Sequence, residues 1–195
     1  MLDALVAGTT DPAVLDEHIN SLSAAIEEQL GPFEAGVQLA CTMTGVARRT
    51  GEVMVAEIGT DMRRFPIAGH LASWAGRCPA NNRSAGKHRR GSARKGCKWL
   101  GIALEEAALA AIRAKDSYLA AQYRRLKPRL GHGRALGAVK HSTLIAYWHM
   151  FTTGQTYTDL GGDSFTRRDP ERATKRLIAQ LERLRHHVTL EKAAA

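Results

Sequence analysis

Apolar residues recur along this chain at helical spacing almost from end to end. Leu15, Ile19, Leu22, Ile26, Leu30 and Phe33 follow one another at intervals of four or three, which puts them in one stripe. Asp11-Pro12 supplies an N-cap and a first-turn proline, and Gly31-Pro32 supplies a stop. The stripe is narrow, close to a coiled-coil seam, and a lone helix of this length is marginal. It therefore needs a partner helix, and the sequence leaves three sources open: this chain, a second copy, or a segment outside it.

Further helices are predicted from Glu34 to Met43, from about Arg49 to Ile58, and from Ile67 to Ala75, with a tight turn at Thr44-Gly45-Val46-Ala47. From Gly76 to Gly96 apolar periodicity vanishes in a stretch rich in Gly, Ser, Asn and Arg, which predicts a long loop. Helices resume over Lys98–Lys115, over a segment capped by Asp116 or Ser117 and ending at Lys127-Pro128, and over 134–152. After a loop at 154–163, Asp169-Pro170 starts a basic amphipathic helix to about His187, with Leu177, Ile178, Leu181 and Leu184 expected inward. No strand is supported. Trp74, Trp99 and Trp148 are each expected in the core. The expected fold is all-α: a helical domain containing a helix–hairpin–helix, with an N-terminal coiled-coil-like helix.

Composition narrows the class. The 195 residues are 44% hydrophobic and 24% charged, ordinary for a globular protein. Three cysteines, none in a C-x-x-C spacing, argue against a disulfide framework or a zinc ribbon. No run is long and apolar enough for a membrane span, and the first residues carry no basic leader, so a cytoplasmic location is expected.

Charge changes the picture more. Net charge is +9, but residues 1–61 hold 10 acids against 2 bases, and residues 62–104 hold 10 bases and no acid. A stretch of 43 residues without a carboxylate cannot neutralise itself locally. Its natural counterpart is a polyanion, so DNA or RNA is the expected partner.

Two segments are candidate nucleic-acid contacts. In the turn at residues 44–47, Gly45 permits a positive φ and Arg48 and Arg49 follow at a helix start. That arrangement suits a backbone phosphate, or alternatively an ordinary αα-hairpin. In the loop, Arg83, Lys87, Arg89, Arg90, Arg94, Lys95 and Lys98 are seven cations without an acid. Ser84 lies among them beside Gly86, where a positive field favours a forming alkoxide and a bound phosphodiester. Ser92 is the local competitor. The loop lacks Walker A spacing. Glu105, Glu106, Asp159, Asp163 and Asp169 are metal ligands by type only and are read as solvated, and the histidines show no zinc-binding spacing. No metal site is therefore assigned.

The run GVARRTGEVMVAEIGTDMRRFPIAGHLASWAGRCPANNRSAGKHRRGSARKGCKWLGIALEEAALAA resembles the C-terminal domain of the insertion-sequence-110-type (IS116/IS110/IS902) transposases. The shared blocks are the glycine hairpin, the E-I-G-x-D turn, R-F, L-A-x-W-A-G-x-x-P, the S-x-G-K loop, the K-G helix start and an Ala-rich helix. The later stretch from Tyr123 to Gly161 resembles the family's closing segment. The likeness divides the chain into 1–34, a remnant of a linking coiled coil; 35–162, the transposase C-terminal domain; and 163–195, a basic helix.

The resemblance implies a DNA recombinase of mobile elements in the bacterial cytoplasm, associated with the nucleoid. In this family a C-terminal serine attaches covalently to DNA, an N-terminal RuvC-like domain binds Mg²⁺ through acidic residues, and a structured RNA guides target choice. Ser84 maps to the nucleophile, with Gly86, Lys87 and Arg89 toward phosphate or RNA. The chain departs from the pattern at Thr44, Ala47, Cys97 and Gly101. No RuvC-like segment is recognised. The expectation is thus a truncated form, inactive alone and holding no cofactor. It would need Mg²⁺ only with a RuvC-like partner, met through the N-terminal helix or in a homo-oligomer. The alternative is a non-catalytic basic helix–hairpin–helix module.

Overall fold

The computed structural model describes residues 12–78, 83–84, 86–88 and 94–190, with only the backbone at 83, 84, 87 and 88. The expected cap Asp11 lies outside the described residues. The architecture is all-α, as the periodicity predicts. Helix α1 (Pro12–Leu30) runs through a 3₁₀ turn (Gly31–Phe33) into α2 (Glu34–Cys41). Then follow α3 (Arg48–Ile58), a 3₁₀ turn (Met62–Arg64), α4 (Ala68–Trp74), a two-strand ribbon, α5 (Lys98–Ala111), α6 (Tyr118–Leu130), α7 (His132–Thr153), α8 (Ser164–Arg168) and α9 (Pro170–Arg183).

Helices α5 and α7 organise the interior. The first apolar cluster gathers Val37, Met54, Ile58, Leu71, Leu100, Leu104, Leu144 and Tyr147. The second gathers Ala108, Ala111, Leu119, Tyr123, Leu136 and Val139. Alanine at 103, 107, 108 and 111 keeps the buried face of α5 thin, so neighbours approach closely. The α2–α3 turn uses this: a β-carbon on Gly45 would stand 2.4 Å from Ala107 O. Gly45 also has φ +88°, a region that favours glycine.

Polar groups lock the packing. The Tyr147 hydroxyl donates to Gly59 O at 2.9 Å, and Trp148 Nε1 donates to Phe65 O at 2.7 Å. Ser117 caps α6 by accepting from Ala120 N, and Asp169 caps α9 by accepting from Arg172 N. Asp159 accepts from Thr44 Oγ1, Tyr118 N and Gly161 N. It thereby pins the α2–α3 turn, the start of α6 and its own loop together.

Three expectations are corrected by the structure, and one open choice is narrowed. Helix α6 does not stop at Lys127-Pro128 but continues to Leu130, because Pro128 falls in the last turn and Gly131, at φ +77°, makes the break. The inward face expected of α9 is outward: Leu177, Leu181 and Leu184 are exposed, since α9 packs chiefly against the short α8 and meets no face of the core. The α1 stripe, whose partner the sequence left open, is uncovered, with Leu15, Ile19, Leu22 and Phe33 exposed. The described residues of this chain supply α1 no partner helix. Finally, Trp74 and Trp99 are exposed, Trp74 keeping one ring against Phe65 at 5.5 Å, while Trp148 is partly buried against the core.

Candidate nucleic-acid interface

The basic loop leaves the core after α4 and returns at α5, and its two ends touch. A β-carbon on Gly96 would lie 2.3 Å from Ala75 O, and one on Gly76 would lie 2.7 Å from Arg94 O. Only glycine fits both positions, and Gly76 also has φ +68°. The excursion is therefore pinched at its foot like an Ω-loop. Within it the structure adds what periodicity did not predict: strands β1 (Arg83–Ser84) and β2 (Lys87–His88) pair antiparallel. Arg83 stands opposite His88, and Ser84 stands opposite Lys87. Gly86 takes φ +73° in the connecting turn and is exposed. Two-residue strands carry no detectable alternation, so no sequence signal marked them except Gly86 itself. Arg89, Arg90 and Ser92 lie outside the described residues.

Arg94, Lys95 and Lys98, where the loop re-enters the fold, are exposed. None of the three forms an ion pair among the described residues, so their charge is available to a polyanion. Lys98 Nζ lies 5.6 Å from the centroid of the exposed Trp99 ring. Beside them Arg77, Gly96, Cys97, Lys98, Gly101 and Ile102, with Glu105 and Glu106, line a cleft of about 550 Å³. Arg77 was not singled out by sequence. Its guanidinium lies against Gly101, where a β-carbon would stand 2.5 Å from Nη2, and its Nε is buried without a partner. Gly101, a departure from the family pattern, is what makes room for it.

The hairpin cations are placed differently. Arg48 binds Glu34 in a fork, Nη1 to Oε1 at 2.8 Å and Nη2 to Oε2 at 3.0 Å, and its Nε meets Glu52 Oε1 at 3.1 Å. Arg49 Nη1 meets Glu52 Oε2 at 3.1 Å. The hydrogen bonds from Arg48 hold the Glu34 carboxyl below its ordinary value, and the same fork raises Arg48. The Arg48–Glu34 fork ties α2 to α3, and the two pairs with Glu52 lie within α3. Two arginines set against two glutamates leave little net charge, while Gly45 is turned into the fold. The predicted site residues are thus placed differently: Arg94, Lys95 and Lys98 adjoin the serine loop without an ion pair among the described residues, whereas Gly45 packs on α5 and the half-exposed Arg48 and Arg49 are paired with Glu34 and Glu52.

The acidic residues also have structural partners. Glu105 is paired with the buried Lys140, and Asp163 with Arg167. Among the described residues, no three His, Cys, Asp or Glu side chains converge into a group able to hold a metal. No helix of the described residues is long and apolar enough to cross a membrane.

Residues 37–124 match the Transposase IS116/IS110/IS902 family, a span that covers the hairpin, the whole serine loop, α5 and half of α6. The match supports a transposase family, and with it DNA transposition at the level of the family. No curated protein matches the chain.

Proposed function

We propose that this chain is the C-terminal, serine-bearing part of an IS116/IS110/IS902-type DNA transposase. One observation carries the reading: Ser84, within the matched span, stands directly opposite Lys87 on the ribbon of a pinched loop whose segment contains no carboxylate. In the proposed step, Ser84 Oγ gives up its proton to a general base and bonds to phosphorus. One phosphorus–oxygen bond to deoxyribose breaks, and the departing oxygen takes up a proton to leave as a hydroxyl. The product is a phosphoserine ester that conserves the phosphodiester's energy for rejoining. The cations of the loop hold the phosphate and stabilise its developing charge.

The described residues do not fit a Mg²⁺ site, so no step here runs through a metal of this chain. Family chemistry assigns that site to a RuvC-like domain outside residues 1–195. DNA and a structured RNA are the proposed partners, and the uncovered α1 stripe is the proposed contact to a second copy or to the RuvC-like domain. The cytoplasm, at the nucleoid, is the proposed location.

A second reading, a non-catalytic basic module, is favoured by one observation: Arg94, Lys95 and Lys98 are free to bind phosphate with no chemistry at all. Covalent attachment, assayed beside binding in the single variants, separates the two. If the serine is a nucleophile, Ser84→Ala keeps duplex affinity but loses covalent attachment in the presence of the metal domain. If the module only binds, Ser84→Ala changes nothing, whereas Lys87→Ala weakens binding.

A further inference from the structure

A tryptophan left on a surface needs a reason, because its large apolar ring is otherwise buried. Trp99 is 63% exposed. It is the second residue of α5, where the basic loop ends. Ile102, one turn further on, is 45% exposed and extends the apolar ledge. Lys98 Nζ lies 5.6 Å from the ring centroid, the exposed Arg94 and Lys95 precede it by five and four residues, and its neighbours Lys98 and Ile102 line the cleft that holds Arg77. Glu105 in that cleft is tied to Lys140, and Glu106, two turns from Trp99, marks its far limit.

An apolar protein surface would cover Trp99 but would leave those cations uncompensated. A nucleotide brings both missing elements, a flat ring for the indole and an anion for the cations. Bases inside a duplex are already stacked, so the exposed ring selects an unpaired one. We propose that Trp99 is a stacking platform for an unpaired nucleobase, and that the Arg77–Lys98 cleft takes a phosphate of the same strand. The inference rests on reading the loop as a nucleic-acid interface and adds that this edge of it reads single strands.

The test uses indole fluorescence of the full chain carrying Trp74→Phe, so that Trp99 is the dominant exposed indole. The probes are short oligo(dT), a matched oligoribonucleotide, the duplex, and an abasic single strand with the same phosphates. The expected result is quenching by the base-bearing single strands, which bind about tenfold or more tightly than the abasic strand. In the Trp99 variants, which lack the reporting indole, affinities are read by anisotropy of end-labelled strands: Trp99→Ala should abolish the preference for the base-bearing over the abasic single strand without changing duplex affinity, and Trp99→Tyr should retain it. The DNA and RNA probes then show which strand is preferred. Equal quenching by the abasic strand, or an unchanged preference in Trp99→Ala, would overturn the proposal. Base-dependent quenching without duplex binding would support the platform while removing the transposase reading.

Discussion

Gly76 and Gly96 cross backbone to backbone at the foot of the basic loop, with a β-carbon on either one standing 3.1 Å from a backbone nitrogen of the other. Everything proposed for Ser84 depends on this crossing, because it returns a long polar excursion to the fold at a fixed place. Gly96→Ala forces its new methyl against Ala75 O. The expected cost is about 1–3 kcal/mol, with tryptic cleavage at loop cations such as Arg83 and Lys87 accelerated and DNA affinity reduced. Thermal unfolding and timed proteolysis check it. Unchanged cleavage would mean that the pinch does not order the loop.

Two other glycines separate packing from binding. Gly45→Ala meets the backbone of α5 and a disfavoured φ together, so it should cost about 3 kcal/mol or more and lower Tm sharply. At Gly86 nothing lies within 4 Å, so Gly86→Ala pays only for its φ, about 1–2 kcal/mol confined to the ribbon. It should spare Tm and weaken the function of the serine loop. Calorimetry alongside DNA binding reads both effects. The reverse ranking would make the hairpin, rather than the serine loop, the main DNA contact.

Asp159 joins three separate segments through its carboxylate. Asp159→Ala orphans two backbone N–H groups and should lower stability by about 1–3 kcal/mol. Chemical denaturation measures the loss, and a loss near zero would show that water replaces the carboxylate freely.

Tyrosine ionisation gives a pH prediction. Burial pushes the Tyr147 phenol far above its ordinary value and is the main cause raising Tyr157 to about 12. In the unfolded chain both ionise near the ordinary phenol value. Above that value the unfolded state therefore binds fewer protons than the folded one, and stability falls as pH rises. Stability should be flat below the ordinary phenol range and decline from there toward pH 12. Denaturation midpoints against pH, with Tyr147→Phe as the control, follow it. A midpoint that rises across that window would contradict the burial.

Most of the scaffold was legible because long amphipathic helices announce themselves. The caps at Ser117 and Asp169 and the α5 and α7 cores follow from spacing. What was not legible is surface exposure. Spacing alone makes Trp99, Leu177 and Leu181 look inward, because an apolar residue on a helix reads the same whether its partner is present or absent. The loop yielded its charge and its serine to sequence. It did not yield the pairing of Ser84 with Lys87, which arises from turn geometry at Gly86, nor Arg77 on Gly101, which depends on a contact distant in sequence.

The central claim is a covalent serine link. It is tested by incubating the chain with Mg²⁺, an end-labelled element-terminus DNA and the RuvC-like domain of an IS116/IS110/IS902-family transposase. Adducts are resolved on a denaturing gel and the modified peptide is mapped by mass spectrometry. The account predicts a protein–DNA adduct at Ser84 that disappears in Ser84→Ala and does not form when the metal domain is omitted. An adduct that persists in Ser84→Ala, or that maps to Ser92, would contradict it.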